Sequence, residues 1–429
     1  MKLNLLTVML LGSGLFLTAC GGSDDNKGDN SSTSSNVDVN NIQNPVVNTP
    51  EPYVLEDYDE EDFTVPNAEE SVVMTYKMQG IKGQETQATA LVFTPKTEPP
   101  AGGWPIVVWA HGTVGVGDEC APSRNPLIVR GGLLPDLHTH KMIDSFVKDG
   151  YVVVAPDYEG LGEPNETEIH PFLHLKSEAY SITDAVVATK NWLGNKASNK
   201  WAVIGASQGG HAALGAAQYA ARPNMDYKGA VALAPANNLE MIESLSDMAL
   251  ANNTDVEAQM NGYMILDTLT AYMAAGMKSA YPTEPVYSIV FKSPTDKIAE
   301  QAEGRTRCIQ SLAFNFIRPM MKYRSENNDS LVGYPRKNEG YTQHPIVRQF
   351  LDKDLPPLQT LIKTPIIIYQ GDKDLIVLPR ATDALVAQAR ALTTKIDYRK
   401  GPDWDHLTVF KDNVENGQLL EDIKTLLAN

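Results

Sequence analysis

The chain has 429 residues, with 36 basic and 53 acidic side chains and a formal charge of −17 at pH 7. A phosphate-binding surface would be basic, so nucleic acid is excluded as a partner. No phosphate loop or dinucleotide fingerprint occurs, and the pairs His138/His140 and His170/His174 lack a matching Cys or carboxylate set, so they read as structural and no metal or other cofactor is expected.

Met1 to Cys20 reads as an export signal. Lys2 supplies the positive start, Leu5 to Leu17 an apolar stretch too short to remain as a membrane span, and Leu17-Thr18-Ala19-Cys20 the processing site. Those last four residues resemble the lipobox of bacterial lipoproteins, which implies lipidation at Cys20 and a membrane anchor outside the cytoplasm. Gly21 rather than Asp follows the cysteine; by resemblance to enterobacterial sorting, this implies the outer membrane of the cell envelope. Gly21 to Asn36 holds no apolar residue, so residues 21–66 are expected to form a disordered tether reaching on the order of 40 Å.

Beyond residue 66, apolar runs predict eight strands: Ser71–Gln79, Thr86–Phe93, Ile106–Ala110, Tyr151–Ala155, Trp201–Gly205, Ala230–Ala234, Pro365–Tyr369 and Lys395–Arg399. The later ones alternate with helical segments at Glu178–Leu193, Ser207–Ala221 and Thr382–Leu392. The expected fold is α/β, a mostly parallel eight-stranded sheet with helices on both faces. The core takes residues 67–236 and 361–429, and residues 237–360 form a helical cap between strands six and seven. Eight of the 14 methionines fall in that insertion. Flexible accommodation of varied apolar groups and packing between short helices explain them equally well.

The third predicted strand ends in His111-Gly112-Thr113, where Gly112 lets the backbone turn its amides inward; His111 reads as a loop-shaping residue. Downstream stands Cys120. With Cys20 set aside it leaves an even pair with Cys308, predicted to be bonded in an oxidising compartment and to tie this loop to the insertion. The fifth strand runs into Gly205-Ala206-Ser207-Gln208-Gly209, a G-x-S-x-G turn opening a small-residue helix. Such a turn projects a serine hydroxyl above the sheet, and side chains at Gly205 or Gly209 would clash across it.

A serine hydroxyl needs a base to take its proton and a third group to orient that base. Thr364 to Tyr369 is a buried-type strand, and the loop it releases carries Asp374 at its tip, the candidate acid. Asp372 reads as shaping the turn, and Asp403 and Asp405 are competing carboxylates. Among the eight histidines His406 is the candidate base, in the loop after the last predicted strand. His211, four residues beyond Ser207 on the same helix, cannot reach back and reads as a packing residue. The oxyanion donors would be the backbone amides of Gln208 and Thr113.

These residues resemble the α/β-hydrolase superfamily. His111 to Ser123 together with Pro156-Asp157-Tyr158-Glu159-Gly160-Leu161-Gly162 further resemble the secretory lipase family of the yeast lipase A type. That resemblance implies hydrolysis of carboxylic esters and a helical lid. A bacterial sorting signal departs from the fungal members, so long-chain preference does not transfer. The expected partners are a small-molecule or lipid ester and the membrane. A serine peptidase or amidase of the same fold is the alternative, and a non-catalytic surface-binding lipoprotein the third reading.

Overall fold

The computed structural model describes residues 38–53, 65–125, 138–162, 164 and 167–428. The expected export signal, Cys20 and the sequence up to residue 37 lie outside the described residues. Nine strands, β1 (Glu51–Pro52), β2 (Ala68–Gln79), β3 (Glu85–Pro95), β4 (Trp104–Ala110), β5 (Val152–Pro156), β6 (Ala197–Ala206), β7 (Asp226–Leu233), β8 (Ile366–Gly371) and β9 (Ile396–Gly401), form one sheet in the order β1-β2-β3-β5-β4-β6-β7-β8-β9. The pairs β1/β2, β2/β3 and β3/β5 are antiparallel, and every pair from β5/β4 to β8/β9 is parallel.

The count exceeds the eight strands expected because Glu51–Pro52 joins the sheet edge opposite Val73 and Val72. Two exposed residues carry no periodicity to read. Residues 38–53, expected within the tether, also belong to the body. Asn40 donates to Asp184 at 2.7 Å, Asp38 pairs with Arg222 at 3.0 Å, and the Val47 amide donates to the Thr75 carbonyl. Polar contacts and backbone pairing hold this segment together with a few apolar contacts, Val46 against the core and Tyr53 edge-on to Phe93, too few for a composition argument to detect.

Side-chain alternation along the central strands builds both faces. Ile106 and Val108 of β4 pack with helices α2 (Leu175–Leu193), α3 (Gln208–Gln218) and α10 (Pro379–Ala391). Val107 and Trp109 point the other way, onto α1 (Thr139–Lys148), α11 (Thr408–Glu415) and α12 (Gln418–Ala428). Covered on both sides, these strands read as unbroken apolar runs. Each fully buried side chain of this kind contributes about 1.5–3 kcal/mol.

The insertion lies between β7 and β8, one strand later than numbered from the sequence because of β1. It contains α4 (Leu239–Ala251), α5 (Val256–Ala280), α6 (Val286–Val290), α7 (Thr295–Ala299), α8 (Ile309–Glu326) and α9 (Pro345–Gln349). It has its own apolar core, built on Tyr272, Met277, Leu312, Phe316 and Phe350. Met260, Met273, Met277 and Met320 are buried in it, so packing accounts for half of the eight methionines. Cys120, in the turn after β4, is bonded to Cys308, which caps the N-terminus of α8, with the Cα atoms 5.3 Å apart.

Candidate active site

Ser207 occupies the single residue between β6 and α3, with φ 57° and ψ −117°. A side chain rarely adopts such a backbone, and holding it costs on the order of 1–3 kcal/mol. The Ser207 amide donates to Leu233 O at 2.9 Å, and its carbonyl accepts from His211 N and Ala236 N. The glycines on either side are sterically obligatory: a Cβ on Gly205 would lie 2.1 Å from Gly209 O, and one on Gly209 would lie 1.8 Å from Ala110 O.

His406, in the loop between β9 and α11, places Nε2 3.0 Å from Ser207 Oγ and Nδ1 2.7 Å from Asp374 Oδ2. Asp374 is buried in the loop after β8, and its other oxygen accepts from the Ile376 and Val377 amides at 2.8 and 2.9 Å. With Asp374 accepting from all three, Nδ1 of His406 carries the hydrogen and Nε2 is left to accept from the serine hydroxyl. The three sequence candidates thus meet in one chain of hydrogen bonds.

The competing carboxylates are occupied elsewhere. Asp405 accepts from Leu407 N, Thr408 N and Thr408 Oγ1 at the start of α11, and these bonds, the Thr408 amide first, hold its carboxyl below the usual range. Asp403 pairs with Lys373 at 2.6 Å and Asp372 with Lys400 at 3.1 Å.

Thr113 runs beside the serine: a methyl on neighbouring Gly112 would stand 3.9 Å from Ser207 Cβ. Gln208 opens α3, where a backbone N–H has no partner within the helix and the helix end favours negative charge. His111 is buried against the Tyr158 ring at 4.4 Å with Nε2 3.2 Å from Asp157 O, a loop-shaping position. Burial pushes its imidazole down.

Ser207 and Thr113 line two cavities. One, of about 330 Å³, also borders His406, Trp109, His140, Ile143 and Phe410. The other, of about 940 Å³, runs beneath the insertion along Leu239, Ile242, Leu245, Leu269 and Met273. Among the described residues, no group of three or more His, Cys, Asp or Glu side chains could hold a metal ion.

A layer of buried polar groups behind the serine was not legible as functional in the sequence. Glu178, wholly buried on α2, accepts from Gln208 Nε2 at 2.9 Å and contacts His211 Nδ1 at 2.6 Å. His170 Nε2 lies 2.7 Å from the same Gln208 amide nitrogen, while its Nδ1 faces Glu159 O at 2.8 Å. Burial pushes the His170 imidazole down to about 4 and the Glu159 carboxyl up to about 7. Glu178 stands where the sequence predicts that helix to begin; only its contacts reveal its part.

A secretory lipase family model matches residues 138–412, more than half of the chain. The chain belongs to the secretory lipase family. No curated protein sequence matches it. Among solved structures the chain is similar to Candida antarctica lipase A in its closed state, with a TM-score of 0.62 and 17% identity over 88% of this chain and 83% of that one. It is similar also to the rice cell wall degrading esterase LipA from Xanthomonas oryzae, with a TM-score of 0.58 and 19% identity over 90% of this chain and 97% of that one. At such identities the structural likeness shows the α/β-hydrolase fold. Family membership makes this chain a carboxylic ester hydrolase of the lipase or esterase kind.

Proposed function

We propose that this member of the secretory lipase family cleaves esters through an acyl-enzyme formed on Ser207, with His406 as general base and acid and Asp374 as its orienting carboxylate. The observation that carries the reading is the hydrogen-bond chain from Asp374 Oδ2 through His406 to Ser207 Oγ, at 2.7 and 3.0 Å. Ser207 Oγ attacks the carbonyl carbon as its proton passes to His406 Nε2. The negative charge gathering on the carbonyl oxygen is met by the amides of Thr113 and Gln208. Collapse breaks the bond to the leaving oxygen, which takes the proton from Nε2. Water then repeats the sequence on the acyl-enzyme and frees the acid.

Two cavities meeting at the serine suit an ester with groups on both sides of its carbonyl, and the apolar lining of the larger one supports at least one hydrocarbon arm. The two similar structures include a lipase and a cell wall degrading esterase, so acyl length is an experimental question. A panel of esters from acetyl to palmitoyl decides it: steep preference for short chains removes the lipase label and keeps the esterase one. Matched ester and amide substrates separate the esterase reading from the amidase alternative, which family membership disfavours.

The decisive test is covalent. A fluorophosphonate should label the wild type and not Ser207→Ala, and ester turnover should fall by at least about 10³-fold. Label retained in that variant would sink the mechanism and favour a non-catalytic role for this serine. We further propose that the enzyme is held to the cell envelope by lipid on Cys20. Recovery of Cys20→Ser in the membrane fraction at wild-type levels would exclude that anchor.

A further inference from the structure

The nucleophile turn leaves one question of positioning open. Gln208 supplies an amide to the proposed oxyanion site, and that amide is only as well aimed as the residue that bears it. Its side chain does not face substrate. It points into the buried layer, where Nε2 meets two acceptors, Glu178 Oε1 at 2.9 Å and His170 Nε2 at 2.7 Å. The His170 ring gives its Nδ1 hydrogen to Glu159 O, which leaves Nε2 with a lone pair for the Gln208 amide. Both hydrogens of the Gln208 side chain are therefore committed. A neutral His170 suits this bond, and burial favours the neutral ring.

Glu178 is fixed in turn. Its Oε1 also accepts from Leu173 N at 3.1 Å, and its Oε2 lies 2.6 Å from His211 Nδ1. The far nitrogen of His211 donates to Leu355 O at 2.7 Å, at the end of the insertion. The frame therefore connects three places: the residue after the nucleophile, Leu173 on the wall of the larger cavity, and the returning end of the cap. All four polar side chains, Glu178, His211, His170 and Gln208, are almost completely shielded from water. An acceptor lost there leaves donors unsatisfied.

We propose that Glu178, His170 and His211 are positioning residues for the ester hydrolysis, anchoring the Gln208 side chain so that its backbone amide is aimed at the oxyanion. This rests on the reading of Ser207 as nucleophile and of the Gln208 amide as oxyanion donor. A frame of this kind acts in the transition state, so its loss lowers kcat more than it raises KM.

The test is the rate ratio between an ester and the matching thionoester, whose developing charge sits on sulfur and is poorly matched to the same amides. Active sites are first counted by fluorophosphonate labelling, so misfolded protein drops out. Glu178→Ala and, independently, Gln208→Met, which keeps the backbone amide and the bulk, should each lower kcat on the ester on the order of 10- to 100-fold and compress the ester-to-thionoester ratio. Glu178→Gln should retain the wild-type ratio: its oxygen can accept from Gln208 and Leu173 while its NH₂ donates to His211 Nδ1. A ratio equal to wild type in both Glu178→Ala and Gln208→Met overturns the proposal, since a merely structural loss lowers both rates together. So does a ratio compressed as far in Glu178→Gln as in Glu178→Ala. If Ser207→Ala still labels, the mechanism itself has failed; if that label is lost and the ratios stay level, only the positioning frame has.

Discussion

Gly209 and α4 stand at opposite ends of a range of constraint around one site. A methyl on Gly209 would meet a backbone oxygen at 1.8 Å, and nothing nearby can give way. α4, which walls the larger cavity with Ile242, Leu245 and Ala249, buries only Ile242 and is tied down by ion pairs, Glu240 to Arg348, Glu243 to Lys337 and Asp247 to Arg336. The difference teaches that the position of Ser207 is set by backbone sterics, whereas the cavity wall has few buried apolar contacts, a mark of regions of lower local stability. The disulfide lies between these extremes, joining the loop after β4 to α8.

The largest effect should come from the rigid end. Gly209→Ala is expected to cost more than about 4 kcal/mol, read as loss of folded protein or of fluorophosphonate labelling; a folded, fully labelled variant would break the contrast at its root. Next comes the bridge. Cys308→Ser should lower stability by about 2–5 kcal/mol, measured as a denaturation midpoint in the absence of reductant, and protection from hydrogen exchange should fall in α8 before it falls in the central strands. Uniform loss of protection would mean that core and cap open as one.

The buried layer predicts a smaller, pH-dependent difference. Burial raises the Glu159 carboxyl to about 7 from an ordinary value near 4.5, so the folded state holds a proton that the unfolded chain releases between those values. Its contribution is full below about 4.5 and is lost as the pH rises through 7. The stability of the wild type relative to Glu159→Gln should therefore decline from pH 5 to pH 8, as measured by urea denaturation at both. A constant difference would refute it. His170, pushed down to about 4, works in the opposite sense: its contribution is lost as the pH falls from 6.5 toward 4. The smallest effect belongs to α4. Glu240→Gln removes one partly exposed pair and should change the unfolding free energy by no more than about 1 kcal/mol, which sharpens the comparison if Gly209→Ala is severe.

What the sequence revealed follows from the range of the interactions involved. Ser207, Asp374 and His406 each sit where a strand gives way to a loop, and that local grammar of an apolar run, a turn and a helix start is written in consecutive residues. Asp374 could be preferred over Asp372 from spacing and over Asp405 because a carboxylate adjacent to the histidine rarely has the geometry to clamp its Nδ1, but what Asp405 does instead needs coordinates: it spends its carboxylate on its own helix start. The strap at residues 38–53 and the frame around Gln208 were not legible, because each depends on partners far away in the chain. Asn40 meets Asp184, and Gln208 meets His170 and Glu178. A glutamate in a helix reads as a solvated face until the fold buries it.

Ser207 opens onto two cavities rather than one. A catalyst seated at such a fork offers each half of the molecule it splits a separate cavity. Acid and alcohol would then accumulate on different sides and obstruct turnover independently, and mixed product-inhibition kinetics would show whether one occupant excludes the other.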